Sequence, residues 1–201
     1  MNKLIGVVLS VLASSFVLTG CAGMRTVYSD VNSYSQWPAG RKPTTYAFER
    51  LPSQAAQPQV QDSLEAAARD ALTKAGFTEA ANASNADVTV QLGARINRYD
   101  RSPWDDPFWW HGGLHYWHPY RHGWWGPGLG LHHVSPRYER EVAVLIRDRK
   151  AGQPLYEARA SNESITSGDS ATFAAMFEAA LKDFPQTAVN PRRVAVQLPE
   201  K

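Results

Sequence analysis

From Asp87 to Arg98 the side chains alternate. Val88, Val90, Leu92, Ala94 and Ile96 fall on one side, and Thr89, Gln91, Gly93, Arg95 and Asn97 on the other. Successive side chains of a strand point to opposite faces, so this segment is expected to be a strand with one buried and one wet face. Arg137 to Arg147 alternates in the same way, with Val142, Val144 and Ile146 in phase. Asp148-Arg149-Lys150-Ala151-Gly152-Gln153 reads as a turn, and Leu155 to Asn162 returns with Tyr156, Ala158 and Ala160 on one side. The pair predicts a hairpin. A sheet with one apolar face must be covered by a second layer, and this requirement governs the rest of the chain.

Two segments can supply that layer. Between Pro58 and Ala75, residues Val60, Leu64, Ala67, Ala68, Ala71, Leu72 and Ala75 recur at helical spacing. Pro58 suits a first turn, and Gly76 stands where a left-handed cap is wanted, with Phe77 folding back onto the apolar face. Asp62 and Glu65 near the start and Lys74 near the end complement the helix dipole. A second helix is expected from about Ser170 to Phe184, capped by Asp169 or Ser170 and stopped by Pro185. Its stripe is Phe173, Phe177, Ala180, Leu181 and Phe184. Thr44 to Phe48 is a β-prone run, and short strands are expected near Thr26-Val27-Tyr28 and Val194-Ala195-Val196. The expected fold is α+β: an antiparallel sheet of about four to five strands with two helices packed on one face, and a long Trp/His/Gly-rich loop between two strands.

The start of the chain has a different character. Lys3 is followed by an apolar run from Leu4 to Leu18 and by the small residues Thr19 and Gly20. This is the layout of a secretory leader, and about 15 apolar residues fall short of the ~20 that span a bilayer. Leu18-Thr19-Gly20-Cys21 resembles the lipobox of bacterial lipoproteins and holds the chain's only cysteine. The resemblance implies that the leader, 1–20, is removed and that Cys21 carries the lipid. Two or three acyl chains, each buried methylene adding about 0.8 kcal/mol, anchor a protein stably where one does not. Ala22, in place of the aspartate that holds enteric lipoproteins in the inner membrane, implies export to the outer membrane, on its periplasmic face. Residues 21–43 are expected to be lipidated cysteine and tether, and 44–201 a single domain. Once lipidated, Cys21 leaves no thiol for a disulfide or for catalysis.

Tryptophan and histidine are not spread evenly. Six of seven tryptophans, Trp104, Trp109, Trp110, Trp117, Trp124 and Trp125, fall in one stretch, and all six histidines lie between His111 and His133. The insertion, 102–136, is too rich in Gly and Pro for a regular helix or a central strand. Its aromatics are open to three readings. They could cover one another and the end of the sheet. They could form a binding surface for an envelope protein, a glycan ring or the lipid headgroup zone. Or the histidines could bind metal: His111, His115, His118 and His122 are spaced by four, three and four, and imidazoles suit zinc, copper or nickel. Gly112-Gly113 and Pro119 oppose the helix that would align those four.

No nucleophile elbow, phosphate-cradling loop, His-Glu-x-x-His or cysteine pair occurs in the sequence. Asp105-Asp106 sits beside Trp104 and Pro107 in a loop-like context. No catalytic residue and no cofactor are expected. The formal charge is +2, or +1 without Lys3, which does not suggest a nucleic-acid binder.

The mature segment is similar to the uncharacterised bacterial lipoprotein family catalogued as domain of unknown function 4136. The similarity rests on the lipobox, Thr45-Tyr46-Ala47-Phe48, Ala86-Asp87-Val88-Thr89-Val90, Leu155-Tyr156-Glu157-Ala158 and the closing Phe184-Pro185. Phe48 and Tyr156 stand where family members often have Trp. The resemblance implies a secreted lipoprotein and carries over no activity. The expectation is a membrane-anchored binding or structural module of the cell envelope, with the six tryptophans as contact surface. The alternative is a metal-binding envelope lipoprotein.

Overall fold

The structure, a computed structural model, describes residues 25–100 and 136–198. Seven strands lie in it in chain order: β1 (Thr26–Ser35), β2 (Thr45–Phe48), β3 (Thr78–Glu79), β4 (Val88–Asp100), β5 (Pro136–Asp148), β6 (Pro154–Ser164) and β7 (Arg192–Gln197). The α-helices among the described residues are α1 (Pro52–Ala55), α2 (Pro58–Lys74) and α3 (Ser170–Leu181). The strands form one sheet in the order β3-β2-β4-β5-β6-β1-β7.

The expected antiparallel sheet of four to five strands with two helices is corrected by this topology. The sheet has seven strands and is mixed: β2 runs parallel to both β3 and β4, while β4, β5, β6, β1 and β7 are antiparallel in succession. The reason is covalent. The chain from β2 to β4 passes through α2, and a strand that returns beside its predecessor after a helical crossover lies parallel to it. One-faced alternation says nothing about direction, so it could not reveal this.

The second correction concerns the N-terminal side. Within 21–43, expected as anchor and tether, the strand foreseen at 26–28 runs ten residues and is hydrogen-bonded on both sides, to β6 and to β7. The folded domain therefore begins near Thr26 rather than at 44. Its inward residues are Val27, Ser29, Val31 and Ser33, and the two serines are as buried as the valines. Polar residues in the inward phase hid the alternation.

The core lies on one face of the sheet. Val90 opposes Ile146, Ile146 opposes Tyr156, Val142 opposes Ala160, and Ala160 opposes Val31. Directly paired residues share a face, so these form one continuous apolar surface. Ala68, Ala71 and Leu72 of α2 and Ala175, Met176, Phe177, Ala179 and Ala180 of α3 join the same cluster, the two helices also packing on each other. The Tyr156 hydroxyl donates to the Ala180 carbonyl at 3.0 Å, which ties β6 to α3. The opposite face carries exposed ion pairs such as Arg95–Glu141 and Arg193–Asp30.

Register decides what gathers at each end. Thr26 pairs with Gln197, Tyr138 with Ser164, and Asp100 with Pro136. The start of β1, the end of β4, the start of β5 and the ends of β6 and β7 therefore lie at one end of the sheet.

Candidate functional site

At that end the sheet opens. β1 pairs with β6 only from Asp30 onward, and its first residues pair with β7 alone. The separation leaves a cleft of about 470 Å³ whose walls include Arg25, Tyr28, Asp30, Arg140, Asn162 and Arg193. Asn162 bridges the gap: its amide Nδ2 donates to the Tyr28 carbonyl at 2.6 Å. That bond turns the amide oxygen toward β5, where it accepts from Arg140 Nη2.

Arg140 is the centre of the site. It sits in phase with Val142 and Val144, so β5 points it to the core side, and it is 3% exposed. Its Nε has no acceptor. Among the described residues no carboxylate lies within ion-pair distance of it. Burial pushes its guanidinium below the usual range, opposed by Asp169 and reinforced by the nearby charge of Arg25. Gly168 makes the burial possible. Its φ is +86°, and a Cβ there would stand 2.4 Å from Arg140 Nη1.

The following residue caps α3. Asp169 accepts from the Thr172 backbone N–H at 2.9 Å and from Thr172 Oγ1 at 2.7 Å, with Arg25 at 3.5 Å. The Thr172 bonds, with help from Arg25, pull its carboxyl down to about 2. A carboxyl depressed in the folded state stabilises while ionised, so its contribution is present above the usual value near 4 and is lost as pH falls toward 2. Asp169→Ala should therefore lower stability by about 1 kcal/mol at pH 7. The gap to the native chain should close in denaturant titrations run down to pH 2. A gap that stays constant with pH would refute the assignment.

The cleft is lined by guanidinium, amide and hydroxyl groups, with the carboxylates of Asp30 and Glu163 on its wall. Guanidinium, amide and threonine hydroxyl neither give nor take a proton at neutral pH. Asp30 is engaged by Arg193 at 3.1 and 3.3 Å. A second concavity of about 700 Å³ lies beside it, walled by Val60, Leu64, Ala67, Ile96 and Phe173, with Val60 and Ile96 exposed.

The leader 1–20, Cys21, the six tryptophans Trp104, Trp109, Trp110, Trp117, Trp124 and Trp125, and His111, His115, His118 and His122 lie outside the described residues. Among the described residues no group of three or more His, Cys, Asp or Glu is placed to hold a metal. No helix among them is long and apolar enough to cross a membrane. Arg140 was not anticipated, though a signal existed: it is a charged residue in the inward phase of an alternating strand, which is rare without a purpose.

A family model described as domain of unknown function (DUF4136) matches residues 30–186. No curated protein matches the chain. Among solved structures, a PDZ domain protein from Parabacteroides distasonis is similar with a TM-score of 0.50 and 13% identity, over 92% of this chain and 42% of that one. The chain thus spans less than half of that protein, and the likeness is one of fold. The PelC dodecamer from Paraburkholderia phytofirmans gives a TM-score of 0.42 and 16% identity, over 76% of this chain and 94% of that one.

Proposed function

The chain belongs to the DUF4136 family, and we propose that it is a lipid-anchored protein of the cell envelope, a binding or structural module facing the periplasm. The observation that carries this is the shared end of the sheet. Cys21 precedes Thr26 by five residues, about 17 Å of extended chain at most. Thr26 opens β1 at the end where β4 stops and β5 starts. An anchor at Cys21 and an insertion rooted at Asp100 and Pro136 therefore leave the domain from one side. Tryptophan rings with polar edges suit the headgroup zone, and they suit an envelope protein or glycan lying against it. Ala22 favours the outer membrane.

The test is deletion of 102–133 with the ends rejoined by Asn-Gly. Asp100 and Pro136 face each other in register, and Arg101, Asn-Gly, Val134 and Ser135 then make a five-residue hairpin loop between them. The deletion should keep cooperative unfolding and membrane retention. A photo-crosslinker in place of Trp117 in intact cells should capture lipid, glycan or an envelope protein. Recovery of the chain as a soluble, unacylated protein would overturn the anchor. Crosslinking to nothing would overturn the contact surface.

A second reading rests on the four-three-four spacing of His111, His115, His118 and His122. Saturable zinc or copper binding tighter than ~10 μM, lost in the deletion, would move the function to metal binding.

A further inference from the structure

We infer that the cleft between β1 and β6 is a binding site for a single phosphate group, with Arg140 as its floor and Arg25 and Arg193 as its rim. A charge taken out of water is retained only when it is paired and hydrogen-bonded. Arg140 is 3% exposed, has Asn162 as its one hydrogen-bond partner, leaves its Nε unmet, and has no carboxylate in contact among the described residues. It also lines an open cavity of about 470 Å³. An oxyanion in that cavity is the partner this guanidinium lacks.

The site is built to hold the guanidinium still. Asn162 is fixed by the Tyr28 carbonyl and presents its oxygen to Nη2. Gly168 leaves the space that Nη1 fills. A planar fork locked in this way loses little freedom on binding, which favours arginine over lysine for phosphate. The rim arginines are both exposed, and Arg25 is the loosely held one. Arg25 reaches Asp169 only at 3.5 Å with its side chain 64% exposed, and the Arg193 side chain is 70% exposed. Arg25 can turn inward, while Arg193 stays on Asp30 and neutralises it. A tetrahedral phosphate spreads its acceptor oxygens out of a single plane, so guanidinium groups approaching from different directions can each engage one, whereas a carboxylate's two oxygens lie in one plane. Two carboxylates line the wall, Asp30 and Glu163; Asp30 is taken up by Arg193 and Glu163 by Arg137 at 3.1 Å, and Asp169 faces Thr172 and Arg25.

Two sources could supply the group: free phosphate, or the phosphodiester of a lipid headgroup, which the anchored end of the domain would meet. The lipid source rests on the anchored reading; the site does not. Cys21→Ala should abolish membrane retention and leave phosphate binding intact, so the two can fail separately.

The experiment is calorimetric titration of the acylated full chain in detergent micelles with inorganic phosphate and, separately, with glycerophosphoglycerol, the soluble headgroup of phosphatidylglycerol. Saturable one-to-one binding is expected for at least one of them. Preference for the diester by about tenfold assigns the lipid, and the reverse preference assigns free phosphate. Arg140→Gln should weaken binding about tenfold or more, Arg140→Lys less, and the exposed Arg25→Gln, which leaves the fold untouched, about three- to tenfold. Heats that do not saturate for either compound would overturn the site. So would affinity unchanged by both Arg25→Gln and Arg140→Lys.

Discussion

Phe77→Ala is expected to cost about 3–5 kcal/mol, a large share of what a domain of this size holds. Phe77 is 2% exposed and sits where three separated segments meet. Its ring packs edge-on against Trp37 at 5.7 Å and Tyr46 at 6.4 Å, and tilted against Phe184 at 5.0 Å. Trp37 follows β1, Tyr46 belongs to β2, and Phe184 follows α3. Removing the ring empties a site whose neighbours are held by their own elements, so collapse into the space is limited. The backbone fixes the ring there. Gly76, at φ +93°, donates to the Thr73 carbonyl at 2.9 Å, and Phe77 N–H donates to the Leu72 carbonyl at 3.0 Å. These two bonds close α2 as a Schellman motif and throw residue 77 back onto the core. Urea denaturation should show a lower midpoint with an unchanged slope. A loss below ~1.5 kcal/mol would mean the aromatic cluster is not packed as described.

Gly168→Ala should be the second most damaging exchange, at about 2–5 kcal/mol. Two effects add. An L-residue at φ +86° costs about 1–2 kcal/mol. The new methyl would stand 2.4 Å from Arg140 Nη1 and 3.1 Å from its Cδ, and forcing a buried side chain aside costs a further 1–3 kcal/mol. Gly152→Ala separates the two. Its φ is +68°, yet a Cβ there meets nothing within 4 Å, so it should lose only the conformational part. Removing the obstacle should restore the difference: the pair Gly168→Ala with Arg140→Gln should be less than additive in a double-mutant cycle. Strict additivity would show that the glycine serves the turn and not the arginine. The same exchange should disturb the cleft, because it displaces the guanidinium that floors it.

The periodic elements were legible wherever apolar residues marked the buried phase. Val88 to Leu92 and Val142 to Ile146 repeat at 2 and burial follows that period; in α2 the expected Ala68, Ala71 and Leu72 are buried, but Val60 is exposed and Gln61 and Glu65 are buried instead. Gly76 and Asp169 announced a helix end and a helix start because each motif needs that residue type. β1 was hidden because Ser29 and Ser33 are polar by type and buried by position. β3 has two residues, too few for any period to show. The direction of β2 was in principle derivable, since a strand-helix-strand order favours a parallel return, but the antiparallel hairpin of β5 and β6 dominated the expectation.

The cleft was the least legible feature. Its parts come from Arg25, Arg140, Asn162 and Gly168, which no local pattern connects. Arg140 could have been flagged by its phase alone. That Asn162 would turn toward it depends on the Tyr28 carbonyl of a strand that pairs elsewhere.

By itself the sequence determined the local geometry: which residues alternate, which repeat along a helix, where a glycine or an aspartate must end or begin one. It also carries Cys21 and the tryptophan-rich insertion as chemistry that any fold must accommodate. These follow from interactions between residues a few positions apart, which sequence spacing encodes directly. Only the tertiary structure decided that the sheet is mixed, that β1 completes it, and that the N-terminal strand and the roots of the insertion share one end. It alone decided that a buried arginine faces an open cleft there. Those are matters of register and strand order between distant segments, set by how all the apolar faces are buried at once, and no single stretch of chain contains them.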